Sequence, residues 1–121
     1  MSTTSGRTHA DTLARHRHAA AARWAGATAG GTACTLDRAG TTPYAAKYHE
    51  GEVAALGEAM RAVISAGPRE AVPLVREARD RWAHRAVSLS ASPSPTWRAY
   101  HEGGRDALAA FLEAAREENH L

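Results

Sequence analysis

His49 and Glu50 stand side by side in the stretch YHEG, and the same four residues return at 100 to 103, giving His101 and Glu102. Imidazoles and carboxylates move protons and hold Zn²⁺ or iron, so two such pairs in a chain of 121 residues raise the question of a shared site. Helix geometry argues against a metal centre. Adjacent residues lie about 100° apart around a helix, so a neighbouring His and Glu do not both face one interior ion. Bundle metal sites use Glu and His three residues apart. No metal and no cofactor is expected. The motif reads instead as a packing device: Gly51 and Gly103 admit a second helix backbone, and Tyr48 and Tyr100 cover the contact with their hydroxyls at the bundle edge. The residues expected to touch a partner or ligand are therefore Tyr48, His49, Glu50, Tyr100, His101 and Glu102.

A second pairing lies in RDRWAH, at 79 to 84, where Arg79 precedes His84 by five positions and the polar Asp80 follows the Arg. This resembles the Arg–polar–x–x–x–His pattern of HEPN-family ribonucleases, which are helical bundles. The resemblance covers six residues. It implies metal-independent RNA cleavage at a dimer interface, with Arg79 holding the phosphate and His84 moving protons. A third grouping is basic: Arg15, Arg17, Arg23, Arg81 and Arg85 fall on the first and third helical segments, with Trp24 and Trp82 available for stacking. That combination fits a phosphate-binding face, although such arginines more often form a solvated one. Cys34 has no base at a telling distance and reads as a structural thiol. No phosphate-cradling glycine loop, zinc spacing or hydrolase elbow is present in the sequence.

The elements that carry these residues follow from caps, breakers and period. Thr8 and Asp11 resemble a capping box and open a first helix that runs to about position 28. Gly30, Gly31 and Gly40 mark an irregular connection. Thr42 and Pro43 start a second helix that stops at Gly67-Pro68. A third starts near Val72, with Pro73 in its first turn, and ends at the Ser/Pro linker SLSASPSPT. A fourth runs from Pro95 to about Glu118. On the second helix Gly51, Ala55, Ala59 and Ala62 line up beneath Tyr48, beside Val53, Leu56, Met60 and Val63. On the fourth, Gly103, Ala107, Phe111 and Ala114 line up beneath Tyr100 in the same way.

The echo extends beyond four residues. With YHEG aligned on itself, Pro43 meets Pro95 and Leu56 meets Leu108, while RWAGATA at 23 to 29 resembles RWAHRAV at 81 to 87. A basic segment followed by an acidic one also occurs twice. These features predict an all-α four-helix bundle built from two pseudo-repeated helical hairpins. Residues 1–8 are expected to be a flexible N-terminus and 9–118 a single bundle domain, with repeat units at about 9–66 and 68–118.

Composition sets the remaining bounds. The 44% apolar fraction is dominated by Ala, with a single Phe, so the core should be thin and a second chain would thicken it. A net charge of +2 permits nucleic-acid or acidic-partner binding without arguing for either. One Cys excludes an internal disulfide and suits a reducing compartment. No secretory signal or membrane-length apolar run is evident, so the cytoplasm is expected. Together these predict a small, non-catalytic interaction or regulatory module that self-associates, with the ribonuclease and nucleic-acid readings as alternatives.

Overall fold

Alanine, the strongest helix former, recurs in every segment that the sequence marks as helical. In the computed structural model, residues 2–28, 44–66, 70–88 and 94–119 are described. They form α1 (Ser2–Ala27), α2 (Tyr44–Ala66), α3 (Ala71–Ser88) and α4 (Pro95–Asn119), with no strand among the described residues. Pro95 opens α4, at the position where its missing N–H costs nothing, and Pro73 sits in the first turn of α3 for the same reason. Thr28 closes α1 by donating both its amide and its hydroxyl to the Trp24 carbonyl, each at 2.9 Å.

One boundary differs from expectation. α1 begins at Ser2, so Thr8 and Asp11 fall inside the helix instead of capping it, and the helix extends over positions read as a flexible terminus. Extending a formed helix adds one hydrogen bond per residue fixed, which outweighs the weak propensities of Ser, Thr and Gly here. Thr42, Pro43, Cys34 and the glycines of the first connection lie outside the described residues.

α2 and α4 make the most extensive contact, α1 lies on α2, and α3 lies on α4. Along α2 and α4 the contacts advance together, since Tyr44 bonds Glu102 and Tyr48 bonds Asp106. The two therefore run in the same direction. Between α1 and α2 they run oppositely: Arg17 lies by Gly57 and Arg23 reaches back to Glu52.

Among the described residues the largest fully buried side chains are Phe111, Leu13, Leu56, Leu108, Val63 and Val75. Alanines fill the rest, including Ala55, Ala59 and Ala107 on the facing stripes of α2 and α4. Small residues bring the axes close but bury little apolar area each, so the core is thin, as composition implies. α1 closes it from one side, with the rings of His9 and His16 edge-on to Phe111 at 6.1 and 5.8 Å. Trp82 of α3 closes it from another, seated on Gly104, where a side chain as small as a methyl would collide with its indole.

Candidate functional site

The two YHEG stretches meet each other. A Cβ built on Gly51 would collide with the main-chain carbonyl of Tyr100, and one on Gly103 would collide with the main-chain carbonyl of Tyr48. Only hydrogen fits at either position, so the two helix backbones are in direct contact here. The tyrosine side chains leave the crossing in different ways. The Tyr48 hydroxyl donates to Asp106 Oδ2 at 2.6 Å, and burial together with that carboxylate pushes its pKa well above the ordinary value. The ring of Tyr100 rests against Trp82 at 5.5 Å and edge-on to Trp97 at 5.6 Å. Burial raises its pKa too.

The imidazoles and carboxylates of the motif go to four different partners. His49 Nδ1 donates to Glu52 Oε1 at 2.7 Å. His101 Nδ1 donates to the Trp97 carbonyl at 3.0 Å. Glu50 pairs with Lys47 at 3.1 Å, and Glu102 accepts from the Tyr44 hydroxyl at 3.0 Å. Nothing converges on a common point, and among the described residues no three His, Cys, Asp or Glu side chains gather as metal ligands would. Glu52, the residue after the first YHEG, is the buried member of this region, with its side chain 9% exposed. Arg23 of α1 grips its other oxygen at 3.2 Å, so one carboxylate ties His49 and α1 together.

Around the crossing lies an aromatic surface. Trp97 is 53% exposed and Tyr44 is 42% exposed. Tyr44 stacks on Tyr48 with ring centres 6.3 Å apart, and Lys47 Nζ sits over the Trp97 ring at 5.5 Å. Half-exposed rings beside fixed charges of both signs suit a polar-rimmed contact surface.

The other groupings are dispersed. Arg79 pairs with Asp80 at 2.9 Å and lines a groove with α4, whereas His84 is exposed and absent from that groove. Five helical positions put the two about 140° apart around α3, so within one chain they do not share a face. Among the five arginines of the basic grouping, Arg23 is bound to Glu52 and Arg81 to Glu58 at 3.2 Å. Arg85 lies over the Trp82 ring at 5.9 Å, and Arg17 crosses the helix at Gly57. Arg15 bonds Thr12 Oγ1 at 3.0 Å. α1 and α3 touch little, because each lies on a different central helix. Arg23 and Arg81 act as cross-helix ties, and the other three are spread between Thr12, Gly57 and Trp82.

Sequence reading passed over Glu52, Glu58 and Asp106, the carboxylates that organise these contacts. Glu58 accepts from Trp82 Nε1 at 2.7 Å as well as from Arg81. The available signal was spacing: Glu52 stands three residues after His49, the separation at which helical side chains meet. No family model, curated protein or solved structure matches the chain.

Proposed function

We propose that this chain is an all-α interaction module of the cytoplasm that works without catalysing a reaction and pairs with a second copy of itself through the surface around Trp97. The observation that carries the reading is the half-exposed Trp97, held in place beneath Lys47 and against Tyr100. A buried indole is a strong anchor for an interface. Lys47 lies over the ring and pairs with Glu50, so a twofold copy sets a cation opposite a carboxylate without any further residue. The thin alanine core leaves this half-exposed aromatic area available for association. A duplicated helical hairpin accounts for the reciprocal contacts of Gly51 with Tyr100 and Gly103 with Tyr48, since copies related by a local twofold repeat each contact with the partners exchanged.

The ribonuclease reading gains no comparable support, because Arg79 and His84 diverge around α3. Light scattering on the native chain and on Trp97→Ser at micromolar concentration tests the proposal. The expected result is a dimer that becomes monomeric in the variant while its melting temperature stays that of the native monomer. A strictly monomeric native chain overturns self-association. RNA cleavage by the native chain that disappears in His84→Ala overturns the non-catalytic reading.

A further inference from the structure

Three guanidinium groups line a groove of mixed charged and apolar character on the opposite half of the molecule, between α3 and α4. The groove holds about 500 Å³ and is lined by Arg76 and Arg79 of α3, facing Arg116 of α4 across a floor of Val72 and Leu112. Ala109 and Ala115 keep the floor open because they project almost nothing into it. Glu113 is the single carboxylate in the lining, so positive charge prevails. Arg79 has Asp80 beside it, but among the described residues neither Arg76 nor Arg116 has an ion-pair partner. Elsewhere in the fold, Arg23 and Arg81 are each tied to a carboxylate.

We infer that this groove binds a small organic anion with an apolar body, such as a medium-chain carboxylate or its phosphate counterpart. The volume is that of a small-molecule site, and four apolar side chains beside three guanidinium groups suit a ligand that is itself part apolar and part anionic. Guanidinium groups supply paired N–H donors that match the oxygens of a carboxylate or phosphate, and they remain charged at any physiological pH. Arg76 and Arg79 lie three apart on one helix, so both reach the same rim, and Arg116 approaches from the other wall. The aliphatic tail covers Val72 and Leu112, which are only partly buried as they stand. The site stands about 20 Å along α4 from Trp97 at 1.5 Å per residue, and it does not depend on the self-association proposed above.

Titration of the isotope-labelled chain with decanoate and with decyl phosphate, each below its micelle concentration, tests the inference. Saturable shifts of the Val72, Ala109 and Ala115 amides with a dissociation constant under about 1 mM are expected. The better ligand of the two identifies the head group. Arg76→Gln/Arg116→Gln, whose replaced side chains are exposed, should weaken binding at least tenfold with an unchanged melting temperature. Decanol and inorganic phosphate should each bind at least tenfold more weakly than the better amphiphile. Decanol binding as tightly as the anions, unchanged affinity in the double variant, saturation centred on other residues, or no saturation at all overturns it.

Discussion

Gly51 lies against the main-chain carbonyl of Tyr100, and no atom separates the two helices at that point. The obstacle to a larger residue is backbone, not the flexible end of a side chain, so it does not move aside cheaply. Gly51→Ala and Gly103→Ala should each cost about 1–3 kcal/mol even though Ala is the better helix former. Gly26 supplies the contrast, because a Cβ there meets nothing within 4 Å. Gly26→Ala should be neutral or stabilising by up to about 1 kcal/mol. Urea denaturation of the three variants checks this, and native-like stability in the first two would refute the close crossing.

Arg23 and Glu52 differ in what each leaves behind when the other is removed. Glu52 is buried and Arg23 is 48% exposed, so deleting the Arg leaves a buried carboxylate held by His49 alone whereas deleting the Glu frees a cation into water. Arg23→Gln should therefore cost about 1–3 kcal/mol, more than Glu52→Gln, and the double variant should recover part of the loss. A double-mutant cycle by chemical unfolding gives all three values. A larger loss for Glu52→Gln would contradict the account.

All three tyrosines hold their protons beyond the ordinary pKa of 10.0 in the folded chain, first because of burial and for Tyr44 and Tyr48 also through bonds to Glu102 and Asp106. Above pH 10 the unfolded chain sheds protons that the folded chain keeps, so stability is intact below pH 10 and falls as pH climbs past it. Absorbance should show little phenolate at pH 10, followed by its appearance together with loss of helix. Half-ionised tyrosine at pH 10 in a fully helical chain would exclude this.

His16 behaves in the opposite sense. Burial, and then the charges of Arg15 and Arg23, hold its pKa below 6.5. The unfolded chain binds a proton near pH 6.5 that the folded chain refuses, so this contribution to stability is present above 6.5 and lost as pH falls. His16→Gln should remove part of the acid-side slope in melting temperature between pH 7 and 5. Parallel profiles for variant and native chain would show that His16 contributes nothing.

The sequence by itself determined the helices, because helix formation is local. Alanine content, Pro95 at a first turn and the three-and-four spacing of Gly51, Ala55 and Ala59 all act within a few residues of each other. The same spacing marked which face of α2 and α4 would be tightly packed. What the tertiary structure alone decided is which side chains meet across helices. The bond from Tyr48 to Asp106, the grip of Arg23 on Glu52 and the seat of Trp82 on Gly104 depend on the rotation and register of separate helices. No local period encodes those quantities, and long side chains such as Arg reach several partners from one Cα. For that reason Arg79 and His84 read as a pair in one dimension, whereas in three dimensions Arg79 joins Arg76 and Arg116 in the α3–α4 groove and His84 faces away.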